Sequence, residues 1–220
     1  MRFALVLALI PVLAACHDLH TVPSTHLAEP VHVDVPDVYV HSGSGITFAA
    51  KAGGFARTDV SRYDAEGNDV GVHYRRFGKD SVALFRTEAT LFVYPSMHRA
   101  DGSEQTFDEQ FDGEVREIRS NRHYGGVREV RRADSDAARA GRAVHVRAAE
   151  FTYQGDEKLA NQTMVTILAA YLDGPWHVTC RADFPPQVRD ECLAGVEELL
   201  AALELPPTGL PPWQAAAPAK

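Results

Sequence analysis

A chain of 220 residues with 45% hydrophobic and 24% charged side chains has ordinary globular proportions, long enough for one buried core, which excludes disorder throughout. A net charge of −8 argues against a general nucleic-acid binder, because phosphate contacts need a basic surface. Beyond the N-terminus, no stretch approaches the roughly 20 apolar residues that a spanning helix needs.

The chain opens on a short positive head, Met1-Arg2, and an apolar run from Phe3 to Val12. That run is too short to span a bilayer but suits a signal peptide. It ends in Leu13-Ala14-Ala15-Cys16, an aliphatic residue, two small residues and a cysteine. This tetrad resembles the lipobox of bacterial lipoproteins. The resemblance implies cleavage after residue 15 and a thioether-linked diacylglycerol on Cys16. Two or more acyl chains anchor a protein stably. His17 rather than Asp at the second mature position implies the outer membrane, facing the periplasm, while Asp18 at the third weighs the other way. Residues 16–30 read as a flexible tether containing Pro23 and Pro30, and 31–205 as a single domain. Residues 206–220 read as a disordered Pro/Ala-rich tail carrying Trp213.

Within the domain, Val31–Val40 alternates, and Pro36 makes it an edge strand or extended lead-in. Phe55–Tyr63 and the run Val70, Val72, Tyr74 predict two strands joined by the turn at 64–68. A long strand over 82–94 follows, with Ala83, Phe85, Ala89, Leu91 and Val93 on one face. Phe107, Phe111, Val115 and Ile118 form an apolar stripe, which predicts a helix over 104–120 capped by Ser103. The Arg-rich stretch 121–142 suggests a short strand at 126–132 followed by a loop. Strands over 144–153, 162–172 and 176–184 complete a second meander, the middle one nearly continuously apolar. A last helix over 187–204 carries Val188, Cys192, Val196, Leu199, Leu200 and Leu203 on one face.

The expected fold is α+β: an antiparallel sheet built from two three-stranded meanders, with two amphipathic helices packed on it. The element order, and a final Trp-containing strand (Trp176 to Phe184) before an amphipathic helix (Val188 to Leu203), resemble PsbP-like domains. Such domains recur in small bacterial lipoproteins of the DcrB-like group. The resemblance implies a fold and no activity. Alternation places Cys180, and helical periodicity Cys192, on faces that meet in one layer. In an oxidising compartment this pair is expected to form a disulfide, worth about 3 kcal/mol by loop closure.

No nucleophile elbow, zinc-protease motif, phosphate loop or dinucleotide fingerprint occurs, so no cofactor is implied. Ten histidines raise a metal hypothesis, with His17, His20, His26, His32 and His41 crowded near the start. Their spacings match no zinc template, and no metal site is assigned. His73, His145 and His177 alternate with apolar strand residues and are expected to face solvent. Catalysis would need convergence, such as His73 or His123 with Asp or Ser; no catalytic residue is assigned.

The sharpest remaining signal is charge. Between Val115 and Arg147 lie nine arginines (Arg116, Arg119, Arg122, Arg128, Arg131, Arg132, Arg139, Arg142 and Arg147) and four acids, a net +5 that leaves −13 elsewhere. Arginine forks suit phosphate and carboxylate groups, so this segment is a candidate surface for an anionic lipid, glycan or envelope-protein partner. Alternatively, its arginines pair with the acidic remainder. The leading reading is a non-catalytic binding module held at the membrane by its lipid. The alternatives are a periplasmic hydrolase with an unrecognised site and a weak metal-handling lipoprotein.

Overall fold

Alternating apolar and polar side chains carry most of the described residues into strands, nine of which join one antiparallel sheet. The computed structural model describes residues 25–34, 37–76, 87–97, 103–121, 123–139, 142–155 and 161–205, except the side chains of 138, 139 and 142. The strands are β1 (His26–Val33), β2 (Tyr39–Val40), β3 (Thr47–Phe48), β4 (Lys51–Ala52), β5 (Phe55–Asp64), β6 (Val70–Arg76) and β7 (Thr87–Pro95). Helix α1 (Phe107–Ser120) follows, then β8 (Gly125–Arg139), β9 (Arg142–Gln154), β10 (Thr163–Asp173), β11 (Trp176–Phe184) and helix α2 (Arg189–Ala201). The sheet runs β1-β5-β6-β7-β11-β10-β9-β8, with β4 beside β5, while β2 and β3 pair separately. The fold is therefore α+β, mostly antiparallel sheet with two helices.

The helices lie on opposite faces. On β10, Leu168 and Ala170 join Phe111, Val115 and Ile118 of α1 in one cluster. The alternate residues Val165 and Ile167 join Cys192, Val196, Leu199 and Leu200 of α2 in the other. A strand presents successive side chains to opposite faces, so the sheet is the middle layer. Helix α2 comes close because Gly53 and Gly195 meet backbone to backbone: a Cβ on Gly195 would lie 2.6 Å from the Gly53 carbonyl oxygen.

Several expectations need correction. The Arg-rich stretch is a single 15-residue strand, β8, paired with β9 along its length, so the second meander has four strands rather than three. Among the described residues β8 is the last strand of the sheet and has a neighbour on one side only, so it tolerates a charge density that reads as loop. At the other edge, β1 starts at His26, within the stretch expected to be tether. The cap of α1 is Thr106, not Ser103: its hydroxyl accepts from the Glu109 N–H while the Glu109 carboxylate accepts from the Thr106 N–H. The expected strand over 82–94 is described from Thr87 on, as β7, and its first residues, with Ala83 and Phe85, lie outside the described residues. His177 is 1% exposed rather than solvent-facing, sandwiched between Tyr94 and Phe107.

The expected Cys180–Cys192 disulfide is not formed; both are free, buried thiols. Both do sit in the α2-side core, as periodicity implied. However, Cys180 stands opposite Leu91 of β7, whereas the Cys192 sulfur reaches the Thr87 hydroxyl at 3.6 Å. Leu91 and Thr87 are four strand residues apart, about 13 Å. Periodicity fixed the layer but not the height within it.

Candidate functional site

Helix α1 covers only part of its sheet face. Its stripe sits over β9 and β10, and beside it a groove of about 470 Å³ runs toward β7, β6 and β5. Phe92 and Met97, with Ile118 of α1 and Leu168 of β10, supply apolar lining, and Tyr63 of β5 adds an aromatic wall. The polar lining is His26, Asp69, Tyr94, Glu114, Glu117, Thr179 and Arg181. Gly71 keeps this face open: a Cβ there would meet the Tyr63 ring at 3.1 Å and Phe92 at 3.3 Å.

Glu114 is the central polar group. It lies three residues after Phe111, on the flank of the apolar stripe that turns toward β7 and β11. One carboxylate oxygen, Oε1, accepts from the Tyr94 hydroxyl of β7 and, at 3.0 Å, from the Thr179 hydroxyl of β11. The other, Oε2, is buried and has no hydrogen-bond partner among the described residues. Burial raises the Glu114 pKa to about 7, against the opposing pull of the two hydroxyls. Across the groove, burial and the nearby Asp64 charge raise Asp69 to about 6. Arg181 is held at the groove's end, donating to the Tyr124 hydroxyl at 2.5 Å and lying 5.2 Å from that ring's centroid. Tyr124 stacks on Tyr153, and both hydroxyls donate to Asp183.

A second polar network lies on the same face. His73 Nε2 is 3.2 Å from the Ser61 hydroxyl, and Nδ1 is 3.0 Å from the Thr90 hydroxyl. Ser61 also donates to Asp59 at 3.2 Å, and His32 Nδ1 is 2.5 Å from the same carboxylate. Serine and histidine thus converge as a hydrolase would require, but the imidazole is backed by a hydroxyl instead of a carboxylate, and Ser61 is 2% exposed. These contacts link side chains across four neighbouring strands. His123 is exposed, and its backbone N–H donates to Asn121.

The structure scatters the other candidates. Cys16, His17, His20 and Arg122 lie outside the described residues, as do the side chains of Arg139 and Arg142. Arg119 pairs with Glu129 at 2.5 Å, and Arg132 with Asp112 and Glu129. Arg147 bridges Asp108 and Asp134 and lies 4.8 Å from the Phe111 ring centroid. These three tie α1 to β8 and β9. Arg116, Arg128 and Arg131 are exposed. His26 lines the groove, His32 faces Asp59, and His41 is buried against Trp176 with burial lowering its pKa to about 4. Among the described residues no three His, Cys, Asp or Glu side chains gather to hold a metal ion.

Glu114, Tyr94, Thr179 and Arg181 were not anticipated from sequence. A carboxylate flanking the stripe of α1 was the one readable signal. Its partners come from strands 20 and 65 residues away.

No family model matches the chain, and no curated protein does. Among solved structures, a Pseudomonas aeruginosa protein of unknown function, PA94, is similar with a TM-score of 0.43 at 12% identity, over 70% of this chain and 99% of that one. At that level the likeness carries no functional argument.

Proposed function

We propose that this chain is an envelope lipoprotein whose α+β domain is a non-catalytic binding module, seating an amphiphilic ligand in the groove beside α1. The observation that supports the binding role is the groove itself: a concave, mostly apolar lining with a few convergent polar groups, one of them a buried carboxylate with an unpartnered oxygen. The Ser61–His73 contact argues less well for a hydrolase, since its serine is buried and its histidine has no carboxylate partner among the described residues. The order of the last strand and helix keeps the PsbP-like analogy as the proposed fold relationship.

The lipobox supports the location: cleavage after residue 15, acylation of Cys16, and anchoring to the outer membrane on its periplasmic side. Exposed Arg116, Arg128 and Arg131 remain the proposed contact for an anionic lipid, glycan or envelope protein. Chemical-shift mapping with eight-carbon amphiphiles tests the groove. Shifts should concentrate at Phe92, Ile118 and Leu168; shifts spread evenly over the surface would overturn the reading. Fractionation tests the anchor: Cys16→Ser should move the protein out of the membrane fraction, and unchanged partition would remove the lipid from the account.

A further inference from the structure

The groove's lining carries an imbalance of charge that its apolar surface does not explain. Three carboxylates line it, Asp69, Glu114 and Glu117, from three separate places: the turn before β6 and two turns of α1. The cationic lining is Arg181 from β11, with His26 from β1. Arg181 is already engaged by Tyr124, whose hydroxyl in turn donates to Asp183. Glu114 has spent one oxygen on Tyr94 and Thr179 and keeps Oε2 without a donor. A buried acceptor without a donor is a costly arrangement that a donor from a ligand relieves. A carboxylate in low dielectric gains most from a donor that also carries positive charge.

We infer that the groove selects an alkylammonium ligand, a primary amine on an apolar body, with the ammonium beside Glu114 and Asp69 and the chain along Phe92, Met97, Ile118 and Leu168. This deepens the amphiphile-binding reading above and rests on it. An anionic amphiphile would meet the same carboxylates with like charge and would have only Arg181 to answer it. Neutral amphiphiles would keep the apolar contact and lose the charge pairing. The same ammonium chemistry arrives either on a free amine or on a lysine side chain set among apolar residues.

Isothermal titration of the soluble domain at pH 8 with n-octylamine, n-octanol and n-octanoate separates these outcomes. At that pH the amine is still protonated. Octylamine should bind at least tenfold more tightly than octanol, and octanoate most weakly. Glu114→Gln keeps a carbonyl to accept from Tyr94 and Thr179 but removes the charge, and should erase the preference for the amine. Asp69→Asn should weaken amine binding several-fold, and stands in if Glu114→Gln fails to fold by thermal melting. A short peptide with one lysine between leucines competes with octylamine if a side chain is the source; without competition, free amines are the supported source. Octanol or octanoate binding as tightly as octylamine, or a preference unchanged in both variants, would overturn the ammonium inference while leaving the groove reading standing. No binding of any eight-carbon probe would overturn the groove reading itself.

Discussion

Glu114 concentrates the physical tension of the molecule in one side chain. Burial holds its pKa near 7, so the folded state carries a proton that the unfolded chain has lost by pH 7. Its contribution is favourable at low pH and fades as pH rises from about 4.5 through 7. Deprotonating it in place costs on the order of 3 kcal/mol. His41 and His177 act in the opposite sense. Burial holds both near 4, so they favour the fold above about 6.5 and lose that advantage as pH falls toward 4. The two trends oppose each other across the acid range. Glu114→Gln should therefore stabilise the domain at pH 8 by about 1–3 kcal/mol. It should also steepen the loss of stability below pH 6.5, because the histidine trend is then less opposed. Urea melts at pH 5 and pH 8 check both; an unchanged pH dependence would mean that Glu114 is not buried as described.

At the scale of elements, α1 and α2 are held by different devices. Helix α1 depends on its capping box and on the Phe111, Val115, Ile118 stripe. Thr106→Ala should cost about 1 kcal/mol in denaturant melts, and Ser103→Ala less, because the reciprocal bonds belong to Thr106 and Glu109. Helix α2 depends on a close backbone approach. Gly195→Ala would force a methyl to within 2.6 Å of the Gly53 carbonyl oxygen and should destabilise by about 1–3 kcal/mol, although alanine is the better helix former. Most strands were legible because apolar side chains alternate along them; β8 was legible only in part. Its sequence suggests a short strand at 126–132 and reads the rest as loop, and it is strand throughout because β9 offers a ladder along its length.

Across the whole molecule, the arginine-rich segment has one role that its ion pairs carry and one that is proposed. Arg119, Arg132 and Arg147 are spent on acids of α1 and β8, which ties the helix to that end of the sheet. The paired double variant Arg128→Glu/Arg131→Glu should leave stability within about 0.5 kcal/mol, as exposed substitutions usually do. It should reduce co-sedimentation with anionic vesicles; unchanged sedimentation would remove these side chains as a docking surface. The thiols test the core. Cys180 is buried with its pKa pushed up to about 12, and Cys192 is raised as well. Native protein should resist alkylation at both. Denatured protein without reductant should be modified at both; protection of the pair would restore the disulfide.

By itself the sequence determined the class of the fold, most strands and both helices, since period two and period 3.6 are local consequences of which side chains turn inward. It also carries the Leu13-Ala14-Ala15-Cys16 tetrad on which the proposed lipid anchor rests. Only the tertiary structure decided the rest. It set Cys180 and Cys192 in one layer yet apart, and it spent Arg119, Arg132 and Arg147 of the charge run on internal pairs. It also brought Glu114 to Tyr94 and Thr179. These depend on which distant strands become neighbours, and no period within one segment encodes that.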